Sequence, residues 1–481
     1  MSVHPLSRRI SDVLDLDPEG HAIEYDGHWY SWGQLAALSR HIATALQPGA
    51  QVGILLRNTP AHVASLLAVL SAGGCVVVVN PSRGDERIRA DLAALDLPVI
   101  IGTSDDITRL AQPGNTTTVV TIEGESAQVR PGAPIDSGPA TVAVRMLTSG
   151  TTGPPKRVDL TYDMLAVSVI GTDFTTASAP TTISGSVAIV NAPLVHIGGV
   201  YRVLQCICQP RPFVLLPRFE LASWADAVRR YAPKAVSLVP AALRMVLHSD
   251  LGPEDLAGVR AVTSGTAPLS ADDADAFTEK FGIPVLTSYA ATEFGGGVAG
   301  WTLADHRRYW QSKRGSVGRA SLGAELRVVS EDGTPLEPDQ QGLLEVKPGQ
   351  FGRDAAWVRT TDLARIDADG FLWILGRADQ AIIRGGFKVL PDDVRAAVET
   401  HPAVLGASVV GRSDERLGET PVAMVEMCPG ESVTVAQLLD YLRTRLAPYE
   451  IPSEIAVVEA IPRTPSGKAD LTAVRQHFAG A

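Results

Sequence analysis

Short β-branched runs alternate with helical patterns along most of the first 300 residues, and this alternation limits the fold more than any other feature. The runs include QVGILL at 51–56, CVVVV at 75–79, PVII at 98–101, SVAIV at 186–190 and VRAVTSG at 259–265. The pattern at 61–70 predicts a buried helix, and 75–79 predicts the buried strand that follows it. Strands that alternate with helices indicate α/β layers built on largely parallel sheets.

The texture of the sequence changes near Gly315, and again after Gly376. From 315 onward, apolar and polar residues alternate around EDG and ADG turns, which predicts a small antiparallel sheet with hairpins. After 376, a helix that begins at Pro391 and two strand patterns predict a compact α+β unit. A chain of 481 residues exceeds one hydrophobic core. We therefore predict two domains, 1–376 and 381–481, joined by a hinge at 377–380.

Composition excludes several classes of function. The formal net charge of -11 argues against nucleic acid as the main partner. The N-terminal residues lack the pattern of a signal peptide, and the apolar stretch at 63–79 is broken by Ser71, Gly73 and Gly74. We therefore expect no integral membrane segment and a cytoplasmic location.

The four cysteines show no spacing typical of a metal site. Cys75 and Cys428 stand alone, and Cys206 and Cys208 have no further cysteine or histidine ligand nearby. Buried free thiols in a reducing compartment are the simplest interpretation.

The segment LTSGTTGPPKRV at 147–158 concentrates hydroxyls, glycines and a lysine in one loop. Backbone N–H groups in such a turn converge on anions, hydroxyls add donors, and a lysine adds a point charge. Polyphosphate is the natural ligand, although a surface turn rich in serine, threonine and glycine fits the segment equally well by itself. It is not a Walker A loop, because two prolines separate Gly153 from the lysine. The candidate phosphate-binding residues are Thr148, Ser149, Gly150, Thr151, Thr152, Gly153 and Lys156.

Five further motifs accompany this loop in a fixed order. They are NAPLVHIGG at 191–199, TSGTAPL at 263–269, SYAATEFG at 288–295, RTTDLA at 359–364 with GRADQAIIRGGFKV at 376–389, and PRTPSGKAD at 462–470. Together with the loop they resemble the acyl-adenylate-forming superfamily of AMP-dependent synthetases and ligases, and most closely the acyl- and aryl-CoA ligases. The resemblance covers nearly the whole chain.

The resemblance implies both a fold and a reaction. The fold is a large N-terminal domain of layered α/β subdomains with a small distorted β-barrel, followed by a smaller, mobile α+β C-terminal domain. The reaction has two halves: a carboxylate attacks the α-phosphorus of ATP to give acyl-AMP and pyrophosphate, and a thiol then displaces AMP. ATP, Mg²⁺ and coenzyme A are the implied cofactors.

The resemblance also implies roles for individual residues. Lys468 would bridge the attacking carboxylate and the α-phosphate, Thr292 would contact that phosphate, and Glu293 would bind Mg²⁺. Asp362 and Arg377 would hold the ribose, and Asp379 would be the hinge. The adenine would lie among Gly265, Thr266, Ala267, Tyr289, Ala290 and Ala291, with Tyr289 stacked on it. Coenzyme A would pass Gly385, Gly386 and Phe387.

Four positions depart from the usual family pattern. Arg157, Ala290 and Thr361 stand where glycine is common, and Gln380 stands where a second acidic residue is frequent. The first three add bulk near the nucleotide, so they leave nucleotide affinity and the role of Arg157 open.

The acid substrate is constrained only in class. No acidic residue follows His196, which argues against a free amino acid, and this histidine is expected to gate the pocket. The pocket candidates are small or apolar and suit an uncharged acyl or aryl group: Val195, Gly199, Val239, Thr263, Gly295, Gly296 and Gly297. Arg202 would suit a second carboxylate, although a surface arginine is the preferred interpretation.

The sequence leaves the acceptor and the assembly open. The segment RGGFKV favours coenzyme A, while a separate carrier protein is the alternative acceptor. A non-catalytic relative that only holds an acyl-adenylate is a further alternative, which the intact Lys468, Glu293 and Asp362 argue against. The oligomeric state stays open, with a dimer as one option.

Overall fold

The computed structural model describes residues 3–114, 116–133, 140–148, 156–321, 323–352, 354–385, 387–464 and 467–479. Contacts between Cα atoms divide the chain into two compact units. The first comprises Met1–Val236 and Ala291–Gly296, and the second comprises Ser237–Ala290 and Gly297–Ala481. The domain boundary at 377–380 stays a prediction.

The first unit contains eight helices and eleven strands among its described residues. The helices are α1 (Pro5–Leu14), α2 (Trp32–Ala43), α3 (Pro60–Ser71), α4 (Asp85–Leu95), α5 (Ser104–Leu110), α6 (Tyr162–Val169), α7 (Ile197–Cys208) and α8 (Leu221–Tyr231). The strands are β1 (His21–Tyr25), β2 (His28–Ser31), β3 (Gln51–Leu55), β4 (Cys75–Val79), β5 (Val99–Gly102), β6 (Thr118–Glu123), β7 (Ser126–Arg130), β8 (Val142–Thr148), β9 (Lys156–Thr161), β10 (Ala188–Val190) and β11 (Phe213–Leu215).

A seven-stranded sheet forms the centre of the first unit. Its strand order is β7, β6, β5, β3, β4, β8, β9, and it is parallel from β6 to β8 and antiparallel at both edges. Every residue of β4 is buried, as are residues 60–70 of α3, so the predicted helix and strand are both confirmed. A parallel strand covered on both faces requires such a continuous apolar run. Strand β7 was missed, because only alternate side chains of it are half-buried.

A second sheet of the first unit has the order β10, β11, β1, β2. Strands β10, β11 and β1 run parallel, and β2 returns from β1 as an antiparallel neighbour. Phe213 on β11 and Leu204 on α7 are fully buried in the core shared with α3. This core fixes α7, which begins within the predicted acid-pocket segment at 191–199.

The second unit contains the remaining elements. Its helices are α9 (Pro240–Leu247), α10 (Ala271–Phe281), α11 (Leu303–Tyr309), α12 (Pro391–Glu399), α13 (Val435–Arg443) and α14 (Leu471–Ala479). Its strands are β12 (Ala235–Ser237), β13 (Ala261–Ser264), β14 (Val285–Ala291), β15 (Gly296–Gly300), β16 (Arg319–Ala320), β17 (Glu325–Val329), β18 (Gln341–Lys347), β19 (Val358–Ile366), β20 (Leu372–Arg377), β21 (Ile382–Arg384), β22 (Phe387–Val389), β23 (Val404–Asp414), β24 (Gly418–Met427) and β25 (Glu454–Val458), of which β12, β14 and β15 cross a boundary between the units.

Three sheets organise these strands. The first runs from β12 to β16, with β13 and β14 parallel. The second is antiparallel from β17 to β20, which confirms the hairpin pattern after 315. The third has the order β22, β21, β24, β23, with β25 parallel to β24. Helix α12 begins at Pro391, as predicted, and packs Val398 into the core of this third sheet.

Two further predictions concern membrane-spanning segments and the four cysteines. Within the part of the chain that the structure describes, no helix is long and apolar enough to cross a membrane. All four cysteines are free and buried, and burial raises the pKa of the Cys75, Cys206 and Cys208 thiols above their ordinary value. Such thiols are poor nucleophiles and poor metal ligands, so a structural role fits all four.

Candidate active site

The predicted phosphate loop connects the two strands of a hairpin. Strands β8 and β9 pair antiparallel, and Thr148 and Lys156 face each other at the end of the ladder. The backbone on both sides of the loop is therefore held by a regular sheet. The predicted loop residues Ser149, Gly150, Thr151, Thr152 and Gly153 lie outside the described residues.

Arg157, the first departure from the family pattern, has a structural explanation. Its guanidinium lies 2.5 Å from the Asp91 carboxylate of α4 and donates to the Val78 carbonyl at 3.3 Å. The side chain is only 14% exposed. Successive side chains of a strand point to opposite faces, so Arg157 and Lys156 serve different faces of β9. Arg157 ties β9 to α4.

The predicted acid-pocket segment is held by a buried asparagine that sequence analysis missed. The Asn58 amide nitrogen donates to the Ala192 and Leu216 carbonyls at 3.1 Å, and its oxygen accepts from the Leu194 N–H at 2.8 Å. One side chain therefore satisfies three backbone groups around this segment, which would be costly to leave unpaired. His196 follows as the N-cap residue of α7.

Helix α7 packs closely on the same segment. A Cβ atom placed on Gly199 would lie 2.2 Å from the Pro193 carbonyl oxygen, so only glycine fits there. Two residues further along α7, the Tyr201 hydroxyl donates to the Gly295 carbonyl, and the Ser168 hydroxyl donates to the same oxygen at 3.3 Å. Burial raises the pKa of Tyr201 to about 12, so the phenol stays protonated and remains a donor.

This double hydrogen bond anchors the segment that carries the predicted magnesium ligand. Thr292–Phe294 forms one 3₁₀ turn, in which Glu293 is exposed and Phe294 is buried. Gly295 and Gly296 follow with φ of 69° and 140°, values that favour glycine. Tyr201 and Ser168 thus fix a turn that presents the Glu293 carboxylate to solvent.

In the second unit, the predicted adenine segment lies at the carboxyl ends of two parallel strands. A Cβ atom on Gly265 would lie 2.9 Å from the Ser288 hydroxyl oxygen and 3.2 Å from the Ser288 carbonyl oxygen. The backbones following β13 therefore approach β14 closely. Thr266 has a φ of 72°, a strained value for a threonine that occurs most often at functional sites. Ala267 follows it, and Thr263 precedes it on β13.

Tyr289 and Asp362 are brought together by hydrogen bonding. The Tyr289 hydroxyl donates to the Asp362 carboxylate, which connects β14 with β19. Burial raises the pKa of Asp362 above its ordinary value, although the Tyr289 hydroxyl and Arg377 oppose that shift. Burial, and then the Asp362 charge, raise the pKa of Tyr289. The phenol therefore orients a carboxylate that still has acceptor sites for other donors.

Arg377 stands directly opposite Asp362 in the register of β19 and β20, yet its guanidinium turns elsewhere. It donates to both carboxylate oxygens of Asp379 at 2.9 and 2.8 Å, and to the Thr361 hydroxyl at 2.6 Å. Thr361, the third departure from the family pattern, therefore supplies a partner to the predicted ribose-binding arginine. The same arginine is bonded directly to Asp379, the predicted hinge residue.

Lys468 lies in a tight turn near the C-terminus. The Thr464 N–H donates to the Lys468 carbonyl at 2.7 Å, and the Gly467 N–H donates to the Thr464 carbonyl at 2.8 Å. Gly467 has a φ of 79°, which this turn requires. A Cβ atom on Gly467 would lie 3.6 Å from Cγ2 of Val239, a predicted acid-pocket residue at the N-terminus of α9. The turn that carries the lysine therefore lies against α9.

The predicted coenzyme A path lies on a hairpin. Gly385 has a φ of 57° between β21 and β22, and Gly386 lies outside the described residues. Phe387 is 56% exposed and stacks on Tyr449, with ring centroids 4.6 Å apart. This pair forms an exposed aromatic surface next to the predicted hinge.

The remaining predicted residues occupy mixed environments. Val195, Ala291 and Gly297 are half-buried, and Ala290 is exposed. The Gln350 side chain donates to the Gly297 carbonyl at 2.9 Å. Arg202 is half-buried and donates to Gln205 at 2.9 Å within α7, and its interpretation as a surface arginine stays a prediction.

The donor set fits a magnesium ion that is held mainly by phosphate. Among the residues that the structure describes, no group of three or more His, Cys, Asp or Glu side chains could hold a metal. Mg²⁺ normally keeps several waters and binds one or two carboxylates together with substrate phosphates. The exposed Glu293 carboxylate matches that requirement.

Sequence reasoning missed the residues that position the site. The side chains of Asn58, Ser168 and Tyr201 form hydrogen bonds with backbone carbonyl and N–H groups. None of the three residues belongs to the six motifs, although some of their backbone partners do. The available signal for Asn58 was its place directly after a buried strand, where ligand-binding residues of α/β sheets concentrate.

Comparisons with known proteins agree with this arrangement. The AMP-binding enzyme family matches residues 12–351, and the AMP-binding enzyme C-terminal domain matches residues 393–468. The chain is 28% identical to an indoleacetate–CoA ligase of Aromatoleum aromaticum, over 98% of both chains. It is 30% identical to 4-coumarate–CoA ligase 1 of Oryza sativa subsp. japonica, over 90% of this chain and 84% of the rice protein.

A solved structure shows the same fold. The ATP-bound MatB from Rhodopseudomonas palustris superposes with a TM-score of 0.82 at 26% identity, over 99% of both chains. This chain belongs to the AMP-binding enzyme family.

Proposed function

We propose that this chain is an AMP-forming acid–thiol ligase that activates an apolar carboxylic acid and transfers it to coenzyme A. In the first half-reaction a carboxylate oxygen forms a bond to the α-phosphorus of ATP, and the bond to pyrophosphate breaks. In the second, the coenzyme A thiol loses its proton and forms a thioester, and AMP leaves. ATP, Mg²⁺ and coenzyme A are the reactants and cofactors of this reaction.

The observation that carries this proposal is the hydrogen bond from Tyr289 to the half-buried Asp362 carboxylate, with Arg377 opposite in the ladder. An oriented carboxylate accepts two vicinal hydroxyls, and the tyrosine ring next to it offers a flat surface for a base. This combination suits a nucleoside better than an isolated anion.

The chain's own residues divide the work of adenylation. Lys468 places a positive charge where two anions meet, and such preorganised charge is usually the largest contribution to catalysis. Thr292 contacts the α-phosphate. Glu293 holds Mg²⁺, which neutralises phosphate charge when bound. The loop residues Thr148 to Lys156 hold the β- and γ-phosphates, and His196 gates the acid pocket.

The acid is proposed to be an apolar aryl or acyl carboxylate. The relatives named above are an indoleacetate–CoA ligase and a 4-coumarate–CoA ligase. The candidate pocket residues of this chain are small or apolar, and the α7 segment is held by neutral hydrogen bonds rather than by charges. A desolvated aromatic ring gains most from such a lining.

The domain assignment supports a cycle with two poses. Residues 1–376 form the adenylation domain, 377–380 the hinge around Asp379, and 381–481 the mobile domain with Lys468. Coenzyme A, rather than a carrier protein, approaches along Gly385, Gly386 and Phe387. Buried free thiols support a reducing cytoplasm, and a dimer stays one option for the assembly.

A panel of carboxylic acids tests the proposal. Pyrophosphate release is measured with ATP and Mg²⁺ for aryl, arylalkyl, short- and long-chain fatty acids and diacids, and thioester is measured with coenzyme A. We expect release with at least one aryl or apolar acid and thioester only with coenzyme A. Thioester formed solely on a phosphopantetheinylated carrier protein would replace the acceptor. The absence of pyrophosphate release with every acid would overturn the proposal.

A further inference from the structure

Helix α9 carries an arginine that is almost entirely buried among charged partners in the second unit. The Arg244 guanidinium donates to both carboxylate oxygens of Glu399 on α12, at 2.9 and 2.6 Å. It also donates to Asp273 on α10 at 2.7 Å. The side chains of Arg244 and Glu399 are 9% and 3% exposed. A bidentate ion pair that is almost entirely buried has a defined geometry.

Glu399 is the centre of this cluster. Besides Arg244, it accepts from the Arg395 guanidinium at 2.6 Å and from the Ala407 N–H at 3.1 Å. Arg395 is also paired with Asp392 at 3.2 Å. The carboxylate therefore has charged and neutral partners on its own side even without Arg244. What Arg244 adds is the connection to α9.

The connection joins two segments that belong to separate family domains. Arg244 and Asp273 lie in the part matched by the AMP-binding enzyme family, and Arg395 and Glu399 lie in the part matched by the C-terminal domain. The N-terminal end of the same short helix, at Val239, lies against Gly467. Helix α9 thus contacts the C-terminal segment at both of its ends, with the Arg244 ion pair at one and the lysine turn at the other.

We propose that Arg244 is a positioning residue for adenylation: its ion pair with Glu399 holds the C-terminal domain on α9 and so keeps the turn of Lys468 in place. This inference rests on the proposed function, in which Lys468 serves only the first half-reaction. Arg244 acts through Lys468 and does not touch the reacting atoms. In the pose that serves thioester formation, the pair is broken.

Burial of the Arg244–Glu399 ion pair makes its separation costly. Separating a buried ion pair leaves two charges that must be rehydrated, so the docked and undocked poses form two discrete states. The planar guanidinium fixes the orientation of α12 as well as its distance, which a lysine would not do. Removing the ion pair lowers the fraction of molecules in the pose that serves adenylation, and the apparent rate of adenylation falls in proportion.

The test compares Arg244→Met with a matched control, Arg314→Met. Arg314 also donates to α10, at Asp272 and Asp275, and no hydrogen bond or ion pair among the described residues joins its side chain to α12. Each variant is assayed for pyrophosphate release from acid and ATP, and for thioester formation from synthetic acyl-AMP and coenzyme A. Limited trypsin digestion after Arg377 reports hinge exposure without any need for activity.

We expect Arg244→Met to slow pyrophosphate release about 10- to 100-fold, mainly in kcat, since each tenfold corresponds to about 1.4 kcal/mol. Thioester formation should stay within about twofold of wild type, and tryptic cleavage at the hinge should accelerate. Arg314→Met should leave all three unchanged. Glu399→Gln, which keeps the shape of the side chain, should reproduce the pattern if the methionine variant folds poorly, and the double variant should be no worse than the stronger single.

The possible outcomes distinguish failure of the positioning role of Arg244 from failure of the proposed function. Unchanged pyrophosphate release, or equal loss in both half-reactions with a lowered melting temperature, would overturn the positioning role. Wild-type protein that releases no pyrophosphate with any acid would overturn the proposed function instead. In that case the trypsin comparison would still decide whether Arg244 holds α12: faster cleavage supports the docking contact, and unchanged cleavage removes it.

Discussion

The segment around α7 in the first unit and the segment around β19 and β20 in the second unit both carry predicted site residues, but they are held by different forces. Around α7, Asn58, Ser168 and Tyr201 make neutral hydrogen bonds to buried backbone groups. Around β19 and β20, the bonds join Asp362, Arg377 and their charged or hydroxyl neighbours. The difference supports the proposal that the first region binds an uncharged group and the second a polar nucleotide.

This comparison predicts which variants affect which step. Neutral bonds to the backbone set shape and stability, so their loss should raise the KM for the acid and lower the free energy of unfolding. Charged groups act on charged ligands in a low-dielectric site, where each is worth more. Their loss should lower the rate with ATP while leaving the fold intact.

The largest effect is expected for Lys468→Ala. It removes the charge that meets the carboxylate and the α-phosphate, so adenylation should slow by about 10²–10³-fold, or about 3–4 kcal/mol, as for the loss of one oxyanion donor. Thioester formation from synthetic acyl-AMP and coenzyme A should stay near the wild-type rate. Single-turnover assays of both half-reactions check this.

Two results would contradict the assignment of Lys468. Normal adenylation would remove its role in chemistry. Equal loss in both steps would indicate that Lys468 supports the fold, since its carbonyl already accepts a hydrogen bond from the Thr464 N–H.

The next effect is expected for Asp362→Asn, which keeps the shape and removes the charge. A hydrogen bond to a charged group contributes about 1.5–3 kcal/mol, so kcat/KM for ATP should fall about 10- to 100-fold. Tyr289→Phe is the matched variant: it keeps the ring and removes only the hydroxyl that orients the carboxylate, and about a fivefold loss is expected. If the tyrosine variant were the more damaging of the two, orientation rather than charge would dominate this region.

Much of this arrangement follows from local sequence, and the rest does not, for physical reasons. The largely apolar stretch at 61–70 and the continuous apolar run at 75–79 were sufficient to predict α3 and β4, because full burial leaves few alternatives. Motif residues such as Asp362 and Tyr289 were found separately, but their contact joins strands more than seventy residues apart. Asn58 and Arg244 belong to none of the six motifs. Their roles depend on tertiary partners such as Leu194 and Glu399, which no local pattern specifies.

A smaller effect is expected for Tyr201→Phe, in the neutral region. The change leaves the Gly295 carbonyl with the Ser168 hydroxyl as its remaining side-chain donor, so about 1 kcal/mol of stability should be lost. The KM for the acid should rise about two- to threefold, while the KM for ATP should not change. Urea unfolding and steady-state kinetics check both expectations. A change confined to the KM for ATP would contradict the distinction between the two regions.

The smallest effect is expected for Thr361→Ala, and it sharpens the comparison most. Thr361 stands where the family resemblance leads us to expect glycine, and its hydroxyl accepts from Arg377 at 2.6 Å. Asp379 keeps two bonds to the same guanidinium, and the site is exposed, so about 0.5 kcal/mol should be lost, a two- to threefold rise in the KM for ATP. Thr361→Ser should restore the wild-type value because it keeps the hydroxyl, whereas a purely steric role would make serine and alanine equivalent. A tenfold loss in alanine that serine restores would mean that Arg377 depends on this hydroxyl more than on the Asp379 carboxylate. The charged region would then depend on a neutral bond, as the α7 region does.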